Sequence, residues 1–206
     1  MKKISILSVL AILFSVSGIH AQISKKDALI GGSFGFGTGG SNNGPNTVNT
    51  SVFPRIGYAI RNNSVFYLTL GYSYYKTTNA GSNYENKYNS FITGISWKRF
   101  IAIKDKIGLF TNLFGSVGTG VTKQTSGVPP TIQKTNTFSY TTGLLPGFYY
   151  MAAPWLMLNM DAGGLTYNYN NYKSSGTSAS HNSTFVVNFL SSFTFGVDFI
   201  LHKGKK

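Results

Sequence analysis

From Phe185 to Leu201 every odd-numbered position is apolar except Ser191, while the even positions carry Asn188, Ser192, Thr194, Gly196 and Asp198 among Val186, Leu190 and Ile200. Successive side chains of a strand point to opposite faces, so STFVVNFLSSFTFGVDFIL predicts one long strand with two contrasted faces. Strands of globular sheets usually stop after about 5–6 residues. Crossing a bilayer obliquely takes roughly 9–11, with one face against lipid. The same alternation, punctuated by Gly, Pro and Asn, predicts eight strands at 28–37, 50–60, 64–76, 87–103, 107–121, 136–151, 155–172 and 183–201. The connections alternate in length, short at 61–63, 104–106 and 152–154 and long elsewhere. Short turns on one side and long loops on the other, with an even strand number, are the pattern of an outer-membrane barrel. The predicted fold class is therefore all-β, an eight-stranded antiparallel up-and-down transmembrane β-barrel with four external loops.

Facing follows from parity. In the third strand Phe66, Leu68, Leu70, Tyr72 and Tyr74 are expected toward lipid, with Tyr67, Thr69, Gly71 and Ser73 toward the lumen. The fifth strand is apolar on both faces and its facing stays open. Pro54 and Pro146 cannot donate to a ladder, so bulges are expected there, and a third at Gly163-Gly164, where the apolar phase of the seventh strand changes. Tyr74, Tyr75, Trp97, Tyr149, Tyr150, Trp155, Tyr167, Tyr169 and Tyr172 fall near predicted strand ends. Amphipathic rings suit the head-group level, and Tyr74, Trp97, Tyr150, Trp155, Tyr167 and Tyr169 are the best candidates for such girdles.

Two lysines followed by an apolar run from Ile4 to Val16 and by Ala21 predict a cleaved signal peptide over 1–21, leaving one barrel domain over 22–206. The expected location is the bacterial cell outer membrane. Charged residues make up only 11% of the 206 residues, well under the roughly 25% of soluble domains. The net charge of +13 is scattered, and export removes nucleic acid as a partner. Lys76, Lys87, Lys123, Lys134 and Lys173 fall in the predicted loops or at their edges, against Glu85. They point to outer-membrane lipids and lipopolysaccharide phosphates as partners, with a merely solvated rim as the alternative.

Chemistry is sparse. The absence of cysteine excludes disulfides and thiolate metal sites, and neither His181 nor His202 has a metal-ligand neighbour at useful spacing. No catalytic residues, metal or cofactor are expected. The best Ser/His pair, His181 with Ser183, would need Glu85 from another loop to act as an outer-leaflet lipid hydrolase. Parity instead turns Arg55, Lys98, Asp161 and Asp198 into the lumen, where charges are costly unless paired. They predict a salt-bridge plug in a filled lumen. The rival readings are a narrow ion-conducting pore through the same four groups, an outer-leaflet enzyme, and a soluble lipocalin-like barrel with its apolar face inside.

The segment SVFPRIGYAIRNNSVFYLTLGYSYY resembles the S-x-x-P-x-x-G-Y-x-x-x-x-N hairpin of the small outer-membrane β-barrel domain family of Bacteroidetes, related to OmpA/OmpX-like barrels. LIGGSFGFG, FSYTTGLLPGFYY, NMDAGGLTYNYN and FTFGVDFIL are similar to its other strands in order, so the resemblance spans nearly all of 28–201. It implies a monomer inserted by the barrel-assembly machinery, with a structural or surface-interaction role. The chain departs from such barrels at its end, where Phe199 and Leu201 are followed by His202 and a basic tail rather than by a terminal aromatic residue.

Overall fold

The computed structural model describes residues 23–40, 45–79, 84–127, 131–174 and 178–202, without the side chains of 190–192. The expected signal peptide lies outside these residues. Among them the chain forms eight strands: β1 (Ala28–Gly39), β2 (Asn46–Arg61), β3 (Ser64–Asn79), β4 (Tyr84–Lys104), β5 (Ile107–Ser126), β6 (Thr131–Ala153), β7 (Leu156–Ser174) and β8 (Ser180–Leu201). Each pairs antiparallel with its neighbour in sequence, and β1 pairs with β8 to close a barrel. Closure pairs the two edge strands with each other over Ala28–Ser33 and Gly196–Leu201, which removes the open edges a flat sheet would present there.

The strands run further than alternation predicts. β5 continues to Ser126, β6 starts at Thr131, and the expected 14-residue connection between them shrinks to residues 127–130. Lys76, Lys87, Lys123, Lys134 and Lys173, expected in or beside loops, all lie within strands. The physical reason is that alternation reports burial contrast, which vanishes once both faces are polar, whereas the hydrogen-bond ladder needs only backbone. The length asymmetry persists, with tight turns at 62–63, 105–106 and 154–155 on one end (the turn end) and 40–45, 80–83, 127–130 and 175–179 on the other (the loop end).

The apolar face is the outer one. Phe34, Phe91 and Phe195 are each 67% exposed, and Ile30, Ile56, Leu68, Leu70, Ile95, Phe148, Val187 and Phe199 join them around the wall. This removes the lipocalin-like reading, which needs the apolar face inside. It also settles β5, whose Leu113 and Val117 are exposed while Phe110 and Asn112 are buried. Two expected irregularities are found, a register shift between Leu144 and Gly147 beside Pro146 and another between Asp161 and Gly163. Gly163 adopts φ +69°, a conformation that costs other residues strain. Pro54 departs from expectation. Val52↔Tyr72 and Arg55↔Thr69 keep one register across it, so the ladder to β3 breaks without an inserted residue.

The buried apolar core sits at the turn end. Leu29, Ala59, Val65, Phe100, Phe110, Tyr149, Met151, Met157 and Ile200 pack there as one apolar cluster. Tyr149, which falls near a predicted strand end, is one of them, edge-on to Phe100 at 5.4 Å. Ile23 completes the cluster from outside the strands. Its segment is tied across the β2–β3 turn, where the Lys26 and Asn63 amides donate to the Ala59 and Ile23 carbonyls and the Ile23 and Lys25 amides donate to the Asn63 and Asn62 side chains.

His202 fastens the other terminus. Its Nδ1 lies 3.0 Å from Asp27 Oδ2 and its Nε2 2.9 Å from the Pro154 carbonyl. Two acceptors facing both ring nitrogens favour the imidazolium, so the Pro154 carbonyl first and Asp27 second raise the pKa above its ordinary 6.5. A raised folded-state pKa gives stability that is full below 6.5 and is lost as pH climbs through the raised value. The ring is 43% exposed, which keeps the contribution under about 1 kcal/mol. His202→Ala should therefore lower the urea unfolding midpoint slightly at acidic pH and leave it unchanged at alkaline pH. A midpoint difference that does not depend on pH would show that the clasp works without the charge.

Candidate functional site

Adjoining the apolar cluster, the wall places four charged side chains in the interior. Register sets Gly31 between Arg55 on one side and Asp198 on the other, so the missing side chain of β1 leaves room for the two to meet across it. A Cβ at Gly31 would fall onto the Asp198 carboxylate and the Val197 carbonyl. Arg55 grips Asp198 with two parallel bonds, Nε to Oδ1 at 2.8 Å and Nη2 to Oδ2 at 2.7 Å. This fork-to-carboxylate geometry is the strong form of the pair. Asn159 ties it further, accepting from Arg55 Nη2 at 3.0 Å and donating to Asp198 Oδ2 at 2.9 Å. The Tyr67 hydroxyl donates to the same oxygen at 3.4 Å, and its ring lies 5.1 Å from the guanidinium carbon. Asp198 is wholly buried.

The second pair is looser. Lys98 Nζ is 3.8 Å from Asp161 Oδ1, beyond hydrogen-bond reach, and neither atom has a hydrogen-bond partner among the described residues. The ammonium instead sits 4.2 Å from the centroid of Phe110, whose face supplies cation–π attraction. The structure thus gathers Arg55, Lys98, Asp161 and Asp198 in one layer, as two ion pairs of unequal quality. Sequence reasoning found the charges but missed Asn159 and the roles of Tyr67 and Phe110. Asn159 falls on the lumen side of β7 in the same parity as Asp161, which was the available signal.

The aromatic residues divide between the ends. Trp97, whose Nε1 donates to Ser64 Oγ at 2.7 Å, lies beside the β2–β3 turn with Tyr150 and Trp155 near the turn end, the last stacked on Phe199 at 6.1 Å. Tyr74, Tyr167 and Tyr169 lie toward the loop end. The His181–Ser183–Glu85 set does not assemble. His181 stacks on Tyr169 of β7, whereas Glu85 is held on β4 by Lys76 at 3.1 Å and Lys87 at 2.6 Å. No group of three metal-binding side chains occurs among the described residues.

The five lysines all point outward at the loop end, since they share the parity of the exposed Leu70, Phe91, Val117, Phe138 and Tyr167 on their strands. Lys76 pairs in register with Lys87, Lys87 with Lys123, and Lys123 with Lys134.

No helix among the described residues is long and apolar enough to cross a membrane, which says nothing of strands. No family model matches the sequence, and no curated protein does. Among solved structures, a major outer membrane protein from Thermus thermophilus superposes with a TM-score of 0.50 at 11% identity, over 85% of this chain and 98% of that one. Neisserial surface protein A (NspA) matches with a TM-score of 0.42 at 16% identity, over 84% of this chain and 96% of its own. The first likeness shows that the chain has the antiparallel up-and-down fold of an outer-membrane β-barrel protein.

Proposed function

We propose that this chain is an integral barrel of the bacterial outer membrane, spanning it with eight strands, with an occluded lumen and a structural or surface-interaction role exercised at its loop end. The observation that carries the reading is the continuous apolar outer wall. A surface on which Phe34, Phe91 and Phe195 are two-thirds exposed is far beyond the isolated apolar patches of soluble proteins. Aromatic residues toward both ends of that wall suit the two bilayer interfaces, and tight turns opposite longer connections suit a periplasmic and an external side. The same reading takes residues 1–21 as a cleaved export signal, the barrel-assembly machinery as the inserting partner, and a monomeric barrel of the OmpA/OmpX-like kind without catalytic activity.

Occlusion rests on the packed interior of the turn end, where the apolar cluster that includes Tyr67, Phe110 and Met157 adjoins the bonded set of Arg55, Asp198 and Asn159. An eight-stranded interior is only wide enough for side chains, which disfavours a standing ion path. Single-channel recording is the test. Barrels refolded into a planar bilayer are expected to be silent, with insertion established independently by heat-dependent gel mobility and by protease protection of the wall. Reproducible stepwise currents that vanish in Arg55→Ala would replace the occluded barrel by a narrow pore.

A further inference from the structure

The outer face of β3–β6 carries a charge arrangement that the fold alone does not satisfy. Lys76, Lys87, Lys123 and Lys134 are consecutive register partners, so their Cβ atoms lie about 5 Å apart along the row. Like charges directly opposite each other destabilise a sheet. Glu85 relieves Lys76 and Lys87. Lys123, Lys134 and the nearby Lys173 have no acidic partner among the described residues. The row therefore presents an uncompensated strip of ammonium groups on a wall whose next turn is built for hydrocarbon.

Immediately toward the turn end from this strip, the wall is grooved. A depression of about 510 Å³ is lined by Asn89, Val121, Asn136 and Asn171, with Lys173 at its edge. It shares Phe91, Thr119 and Phe138 with a second, apolar depression of about 470 Å³ that runs past Leu70 and Val117 to Val52 and Pro54. The groove reaches the place where Pro54 interrupts the β2–β3 ladder. Cations, then amide side chains, then an apolar channel follow one another down the wall.

We infer that this face of β3–β6 binds a phosphorylated, acylated glycolipid of the outer leaflet, with phosphates on Lys123, Lys134 and Lys173, sugar hydroxyls at Asn89 and Asn136, and an acyl chain in the groove. The inference rests on the outer-membrane reading and names the partner of its loop end. A soluble polyanion would use the lysines but not the groove, and a neutral lipid would use the groove but not the lysines. Several cations in one row match a head group bearing more than one phosphate better than the single phosphate of a glycerophospholipid. Each lysine near an anionic lipid surface contributes roughly a fivefold gain in binding.

The test titrates full-length barrel, folded in detergent, with bisphosphorylated lipid A, phosphatidylglycerol or phosphatidylethanolamine, and counts retained lipid by native mass spectrometry. Lipid A should be retained at the lowest concentration, and Lys123→Ser/Lys134→Ser should raise its half-saturation roughly 25-fold. Lys25→Ser/Lys106→Ser, which removes the same charge at the turn end, should leave it unchanged. Equal retention of phosphatidylglycerol, or an equal loss in both double variants, overturns the site. Failure of a folded, heat-modifiable wild-type barrel to retain lipid A overturns the inference while leaving the membrane reading intact. Failure of the wild type to insert into vesicles overturns both.

Discussion

Asp198→Ala is expected to lower the stability of the folded barrel by about 3–5 kcal/mol, because it strips the counter-ion from a buried guanidinium rather than removing a pair. Arg55 would be left with only Asn159 and the Tyr67 ring, and the Tyr67 hydroxyl would lose the acceptor that lies 3.4 Å away. Asp198→Asn keeps an acceptor while losing the charge and should fall between Asp198→Ala and wild type. The double variant Arg55→Met/Asp198→Leu should recover most of the loss, since a buried ion pair and a well-packed apolar pair of similar volume are nearly equivalent in energy. Urea unfolding of the detergent-folded barrel, followed through Trp97 and Trp155 fluorescence, measures all three. If Asp198→Ala unfolds within about 0.5 kcal/mol of wild type, the surface-like value would mean that the layer is hydrated and the pair is not a structural plug.

Gly31→Val should be at least as damaging, about 3 kcal/mol or more, through the same carboxylate. The added Cβ occupies the space of the Asp198 carboxylate and the Val197 carbonyl, so either the ion pair moves or β1 lifts from β8. That seam is the shortest ladder among the described residues, Ala28–Ser33 against Gly196–Leu201, and it has the fewest bonds with which to resist. The expected readout is loss of the heat-modifiable folded band on refolding. Gly115→Val is the matching control, since a Cβ at Gly115 meets no atom within 4 Å. Normal folding of Gly31→Val would show that the interior layer can rearrange around a side chain at β1.

Both effects arise in a layer that sequence parity located but could not assemble. Arg55, Lys98, Asp161 and Asp198 could be turned inward by counting along their strands, because alternation is a local property of the chain. Which cation meets which anion depends on stagger between strands far apart in sequence. Arg55 and Asp198 become neighbours only because β1 separates them with a glycine and the barrel closes between β1 and β8. Lys98 and Asp161 face each other across the interior from β4 and β7, at a distance set by packing around Phe110. Nothing local to either residue encodes that separation.

The lysines teach the complementary lesson. Lys123 and Lys134 read as loop residues because apolar alternation had ended, yet β5 and β6 continue past them as a ladder. The two termini were likewise silent in the sequence. Nothing in the spacing singles out Asp27, and His202 reads as the start of a departing basic tail, while the structure joins the two beneath the barrel.

The sequence by itself determined the repeated alternation, the strand-and-turn order with its long and short connections, the parity of the charged residues and the outward aromatic residues, because each is fixed by spacing over a few residues. Only the tertiary structure decided the pairing inside the lumen, the row made by Lys76, Lys87, Lys123 and Lys134, and the apolar cluster at the turn end. Each of these depends on inter-strand register and closure, and register is a relation between segments that no single segment contains.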